Sequence, residues 1–508
     1  MKKEILTMLI SLLLFFVSFS GCLKETSHVE EPKIVEEPKI VNETKTVYID
    51  DDYNNTISGW GIDHFNIIQD GINNVTEGGI AYIYNGIYFE NIVINKSIIM
   101  IGEDKETTII KSGEKEVVVN IVSDNCTIQN INISNGFLAG VKIFSNRNTL
   151  TNNYIYGNYD GIFINSPSDN TILNNIILKN KNGIRLKNVS NTTIIKNQIL
   201  LNNLEGIILE SSINTTILDN VLQNNGIKIS GLKSDWNTHV IDNNTVNDKP
   251  VYYYKNENGI AAPNDAIQVI LANCSNFEIK NIDFENITNC IQIGYSSNIR
   301  IENNYFESSI QNAIQLSYSN YNNIISNIID SSNGIDLSKS DNNIIWQNTI
   351  GSTEIGVSMT LSKYNNISEN NIFSNNEYGM YIQSNSNNNR VFRNKIHDNQ
   401  VGIRLKSSKY NNLYNNELNN NTDKGLYICC ESEENILYNN SFIKNLEQID
   451  YAIPNVNYFY KDEIGNYWDD YLERYPNATQ LNGVWDTPYE IPFTSFEDKY
   501  PLVKPVDI

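Results

Sequence analysis

NKIHDNQVGIRLKSSKYNNLYNN, residues 394–416, holds one unit of a repeat that runs through most of the chain. Its core is an Asn, then Gly-Ile-Arg-Leu some eight residues later, then a polar turn. The Gly or small-residue anchors fall at Gly140, Gly161, Gly183, Gly206 and Gly226, then at Ala266, Cys290, Ala313, Gly334, Gly356, Gly379, Gly402 and Gly425. The steps are 21, 22, 23 and 20, then one of 40, then 24, 23, 21, 22, 23, 23 and 23. A period this regular, sustained this long, marks a solenoid.

Each unit reads as strand. Within 402–405 the apolar residues alternate, Ile403 in, Arg404 out, Leu405 in, which is the period of a β-strand and not of a helix. Ile184/Leu186, Ile207/Leu209, Ile335/Leu337 and Val357/Met359 repeat it. A second short strand precedes each anchor, as at Ile344-Ile345 and Val391-Phe392. Short strands joined by Asn-rich turns give one coil of about 22 residues, and the whole is expected to be all-β, a right-handed parallel β-helix. Asn suits the turns because it tolerates left-handed backbone and bonds its own main chain. Stacked inward Asn amides can also bond one another from coil to coil.

The 508 residues carry a formal charge of −22, with pI near 4.6. That balance speaks against nucleic acid, which wants a basic face. Residues 1–22 read as an export signal: Lys2-Lys3, an apolar run from Ile5 to Phe19, then Ser20-Gly21-Cys22. Cys after Ser-Gly resembles a lipobox with Cys22 lipidated; an uncleaved anchor is the alternative, although the run is short for a span. Residues 23–45, with Glu-Glu-Pro-Lys-Ile-Val written twice, read as an extended spacer. The β-helix is expected over 46–445, with an inserted loop at about 231–265, and a C-terminal cap over 446–508. Of the other cysteines, Cys126 reads as core, Cys274 and Cys290 could pair, and Cys429-Cys430 are adjacent. None has zinc-site spacing. Sequons such as Asn74, Asn132, Asn191, Asn214 and Asn366 suit a glycosylated exterior.

At the N-terminal end, Ile68, Ile72 and Val75 have helical spacing and are expected to plug the open core. The motifs YIDDDY (48–53), IQDGINN (68–74), YNGIYFEN (84–91) and IIMIGED (98–104) resemble the start of archaeal surface proteins with a NosD-like, pectin-lyase-type β-helix. So does the insertion around Pro250 and Tyr252-Tyr253-Tyr254. GNYWDDY (465–471), DTPYEI (486–491) and YPL (500–502) resemble the aromatic terminal signature of the same family. Relatives place a loop resembling a calcium site before the DTPY motif. Here Ala478–Trp485 lacks the spaced acids that Ca²⁺ wants. The resemblance also implies copper-site assembly as a role, yet His28, His64, His239 and His397 are scattered.

A parallel β-helix presents outward residues in ladders, about 4.8 Å apart from coil to coil. One ladder reads Lys142, Phe163, Arg185, Ile208, Lys228, Gln268, Gln292, Gln315, Asp336, Ser358, Tyr381, Arg404 and Tyr427. Gln268, Gln292, Gln315, Asp336, Tyr381, Arg404 and Tyr427 make a polar and aromatic strip suited to a polysaccharide; a solvated sheet face is the plain alternative. A glycoside hydrolase needs two carboxyls about 5–5.5 or 6.5–9.5 Å apart. The ladder offers Asp336 alone, while Asp160 and Glu205, two coils apart, read as turn residues. A lyase or epimerase acting on uronates would use Arg404, Tyr381, His397 and Asp336. Asp50-Asp51-Asp52 is acidic enough for a cation such as Ca²⁺ but reads as a solvated capping loop, so no cofactor is expected. The expectation is a membrane-tethered protein of the cell exterior that binds carbohydrate or builds the surface, with lyase or epimerase as the enzyme alternative.

Overall fold

The computed structural model describes residues 45–508 except 114, 115, 310, 453 and 454. The signal-like segment, Cys22 and the spacer up to residue 44 lie outside the described residues. Among those described, no helix is long and apolar enough to cross a membrane.

The chain is a parallel β-helix built in two segments. In the first, a ten-stranded sheet ends at Val240–Asp242 and a seven-stranded sheet runs from Ile92–Ile94 to Ile227–Ser230. In the second, an eight-stranded sheet begins at Glu278–Lys280 and a nine-stranded sheet at Asp283–Glu285. A third wall passes through both, from Gly86–Phe89 to Glu447–Tyr451. Alternation decides which residues fill the core: in Val401–Lys406 Ile403 and Leu405 are fully buried and Arg404 between them is half-exposed. Burying each such side chain stabilises by roughly 1.5–3 kcal/mol, and the contribution recurs with every coil.

The corners are held by amides. Asn304, Asn327, Asn348, Asn370, Asn394, Asn416, Asn440 and Asn466 form one ladder, each Nδ2 donating to the next Oδ1 at 2.9–3.0 Å. Each Oδ1 also accepts the backbone N–H of the preceding Asn, as at Asn348 (2.9 Å). The left-handed residue of the turn is the one before the buried Asn. At that place Asn174, Lys196 and Asp219 have φ of 55°, 56° and 56°. Buried Asn is therefore required for its hydrogen bonds and not for its backbone freedom. The anchor is Gly because a Cβ at Gly379 would lie 2.6 Å from the Gly402 carbonyl of the next coil.

The two ends are closed. Helix Ile68–Asn74 buries Ile68 and Ile72, and its first amides, Ile68 N–H and Gln69 N–H, donate to Glu90 (2.7 and 3.0 Å). At the other end Trp468 is stacked between Phe442 (4.4 Å) and Tyr489 (4.2 Å). Its Nε1 donates to the buried Asp498 carboxyl.

Residues 231–265, read from sequence as an inserted loop, are the joint between the segments. They contain helix Lys233–Asn237 and strands Val240–Asp242, Thr245–Val246 and Lys249–Lys255. The last two pair antiparallel, and Lys249–Lys255 then pairs parallel with Gln268–Ala272. Strand direction thus reverses within one continuous sheet. Coils of one hand then require the second core to lie on the opposite face of that sheet. Strands Gln268–Ala272 and Ile291–Gly294 are accordingly buried on both faces, one against their own core and one against the end of the first segment.

Candidate functional site

The outer ladder is continuous only within each segment. In the first, Lys142, Phe163, Arg185, Ile208 and Lys228 are in register. In the second the order is Ile270, Gln292, Gln315, Asp336, Ser358, Tyr381, Arg404, Tyr427 and Asp450. Gln268, expected in this ladder, occupies instead the anchor position that pairs with Cys290, because Val269 faces Ile291.

Gln268 and Gln292, expected to face a ligand, are both fully buried. They serve the free edge of strand Ile227–Ser230. Gln268 Oε1 accepts from Ile227 N (3.0 Å) while its Nε2 donates to the Ile227 and Asn289 carbonyls (2.9 and 2.7 Å). Gln292 Oε1 accepts from Ile229 N (3.1 Å) and its Nε2 donates to Ile227 O (2.5 Å). The two amides stand in for the peptide groups of the absent next strand. The first segment therefore ends as a step on the outer face of the second. At its foot Lys228 Nζ donates to Gln311 Oε1 (3.1 Å) and lies 3.5 Å from the Glu205 carboxylate.

Beyond the step the face opens. Asp336 is hydrogen-bonded by Ser358 and Gln315, and burial pushes its carboxyl up despite the pull of Lys228. Beside it is a cavity of about 250 Å³ lined by Asn312, Asn333, Asp336 and Ser358. Further along, Arg404 is clasped by aromatic rings: its Cζ lies 5.3 Å from the Tyr378 centroid, 5.2 Å from Tyr381 and 5.0 Å from Tyr427. Nη1 donates to the Tyr378 hydroxyl. Nη2 reaches only the Cys429 sulfur, at 3.9 Å, and Nε has no acceptor. Burial works against the charge, but the Cys429 and tyrosine contacts outweigh it and keep the guanidinium firmly protonated. Arg404 forms no ion pair among the described residues. Nε is buried, and Nη2 is left to a weak sulfur acceptor.

The four residues expected to act together in a lyase or epimerase are not brought together. Asp336 is three coils from Arg404, about 14 Å along the ladder. His397 lies on a different sheet, stacked on Phe373 (5.5 Å) and bonded to Asp398 (2.7 Å) and Asn371 (3.0 Å). Tyr381 alone adjoins Arg404. Tyr378 and Cys429 were not legible as site residues, since each joins Arg404 only through cross-coil register.

Among the described residues the one group of three or more potential metal ligands is Asp50, Asp51 and Asp52. These are oxygen donors, suited to hard cations. The stretch expected to lack a calcium loop is a hairpin pairing Gln480–Leu481 with Val484–Trp485. Cys274 and Cys290 are unpaired. Cys429 and Cys430 sulfurs lie 2.9 Å apart as free thiols.

A family model described as "Right handed beta helix region" matches residues 116–269. One described as "Periplasmic copper-binding protein (NosD)" matches 255–424 and 421–473. Fold and repeat thus define a right-handed parallel β-helix protein. Within that class it is a NosD-like protein of the pectin-lyase type. Curated proteins give no match. Solved structures with some likeness include the A-module of mannuronan C-5 epimerase AlgE6 from Azotobacter vinelandii, at 13% identity and TM-score 0.29, covering 77% of this chain and 92% of that one. Carrot pectin methylesterase gives 12%, 0.28, 49% and 81%. A Paenibacillus alginate lyase gives 13%, 0.32, 55% and 94%. Likeness at this level has no bearing on the chemistry of the site. Copper wants nitrogen or sulfur ligands in a cluster, and no third His, Cys, Asp or Glu joins the Cys429–Cys430 pair among the described residues.

Proposed function

We propose that the protein is exported, held at the cell surface, and binds acidic polysaccharide along the outer face of its second segment. The observation that carries this is Arg404: a half-exposed cation fixed between tyrosine rings that forms no ion pair among the described residues. A uronate carboxylate supplies the missing acceptor. Tyr381 and Tyr427 offer apolar surface and hydroxyls to the sugar rings. Gln315, Asp336 and Ser358 continue the polar track toward the step. With no carboxyl on the ladder within reach of Arg404 except Asp450, two coils on, binding is favoured over hydrolysis of the chain.

The test is incubation of the protein with a panel of acidic and neutral polysaccharides, with and without Ca²⁺. Retention of polyuronates without rising ultraviolet absorbance or new reducing ends supports the binding reading. Absorbance from unsaturated uronates would make it a lyase. No retention of any polyuronate overturns the proposal. A second reading, copper handling, is favoured by the description of the matched family and by the paired thiols, which lie inside the matched residues. Retention of Cu(I) by the wild type and its loss in C429S/C430S supports it; no retention removes it.

A further inference from the structure

The first segment carries a second ladder whose order is not that of an ordinary solvated face. From the open end to the step it reads Val93, Asn120, Lys142, Phe163, Arg185, Ile208, Lys228, each in register with the next, and its last five members alternate. Cations stand on alternate coils, and an apolar side chain stands between each pair. The spacing of the cations is therefore two coil rises, about 9.6 Å. On a chain with a net charge of −22 such a stripe requires a reason.

The stripe is built and not merely exposed. Phe163 is gripped from both sides, by Lys142 Nζ at 5.7 Å and Arg185 Cζ at 5.4 Å from its centroid. Lys142 also lies over Phe144 (4.5 Å) and forms no ion pair among the described residues. Arg185 and Lys228 each have a buried carboxyl behind them: Asp160 at 3.8 Å, 1% exposed, and Glu205 at 3.5 Å, 2% exposed. Asp160 Oδ2 and Glu205 Oε2 have no hydrogen-bond partner. Burial pushes both carboxyls up, while Arg185 and Lys228 pull them down, and the two carboxyls hold the cations in place. The half-buried Glu210, 3.0 Å from Arg185, also competes for the guanidinium.

We propose that this ladder is a separate binding track for an acidic polysaccharide that bears a carboxylate on every second sugar. An extended pyranose chain advances by roughly one coil rise per residue. A polymer of alternating uronate and neutral sugar then sets carboxylates over Lys142, Arg185 and Lys228 and a neutral ring over the half-exposed Phe163, while Ile208, itself buried, adds no charge between Arg185 and Lys228. A homopolymer lying with every carboxylate toward this face places half its charges over apolar side chains. The inference rests on the reading of the protein as a binder of acidic glycans, but on residues of the other segment.

The experiment compares binding of the full chain to two length-matched polymers, one uronate throughout and one alternating, by calorimetry at fixed salt. The alternating polymer is expected to bind the wild type more tightly by about tenfold. The swap F163K/R185F keeps net charge but puts two cations on adjacent coils, and is expected to abolish or invert the preference. K142Q, at the cation farthest from the step, is expected to weaken the alternating polymer by about threefold to tenfold and covers the case in which the swap fails to fold. A preference that survives both variants, or its absence in the wild type, overturns the track. R404A separates the two readings. Weaker binding of both polymers in R404A, with the preference untouched by the swap, leaves the Arg404 site standing and removes the track. A preference lost in the swap but unaffected by R404A does the reverse.

Discussion

Gln268→Leu probes the joint between the segments. The substitution keeps volume but removes three hydrogen bonds from a fully buried amide: Ile227 N–H to Oε1, and Nε2 to the Ile227 and Asn289 carbonyls. Ile227 O retains Gln292 as donor, whereas Ile227 N–H is left without an acceptor. Three bonds at about 1 kcal/mol each, plus about 1–3 kcal/mol for the orphaned buried donor, give a loss of about 4–6 kcal/mol. A solenoid need not unfold as one unit, so the loss is best read locally. Hydrogen exchange in the segment 226–231 is expected to speed up by about a thousandfold, with coils far from the joint little changed. A Gln268→Leu protein whose exchange in that segment stays within about threefold of wild type refutes the edge-cap reasoning.

Three further predictions follow from the coils. Asn370→Ala removes an amide that accepts from Asn348 N and Nδ2 and donates to Ile345 O, Ser368 O and Asn394 Oδ1. It is expected to cost about 4 kcal/mol in denaturant titration, and a loss below about 1 kcal/mol contradicts the ladder's role. Val357→Asp places a carboxylate at a fully buried position and is expected to open or unfold the coils around it, at a cost above about 4 kcal/mol; an unchanged melting curve contradicts the inward assignment. His239 is fully buried, accepts from Thr215 N and bonds Asp235 O, and burial lowers its pKa from 6.5 to about 4. The unfolded chain then takes up the proton first. Stability is undiminished above pH 6.5 and falls by roughly 3 kcal/mol as pH drops toward 4. H239Q is expected to flatten that profile, and an identical slope in the variant removes His239 as its cause.

The fold was legible because every coil repeats the same three constraints: alternating core residues, a left-handed turn residue followed by a buried Asn, and a Gly where the next coil's carbonyl comes close. The reversal at the joint was not. Small residues at Ala266 and Cys290 look the same whether the chain continues its coil or turns to build a second one. Gln268 stands at the true anchor because its neighbour there is a strand edge and not another coil, a fact of tertiary contact with no local signal. Arg404 and its flanking tyrosines were visible as a ladder, since their spacing is the repeat itself. Tyr378 and Cys429 reach Arg404 across the strand, so no periodicity marks them. The alternation of Lys142, Arg185 and Lys228 with Phe163 and Ile208 is visible in the sequence. Its meaning depended on knowing that the ladder stops at Lys228.

The most direct test of the account is the affinity of wild type, R404A and R404K for a polyuronate oligosaccharide, measured by calorimetry at fixed ionic strength. Losing a charge-assisted pair is worth about 1.5–3 kcal/mol, so R404A is expected to bind about 10- to 100-fold more weakly. R404K should fall between, because an ammonium replaces the fork by a single point charge. Polyuronate bound equally well by all three proteins would contradict the assignment of the second segment's outer face as the glycan site.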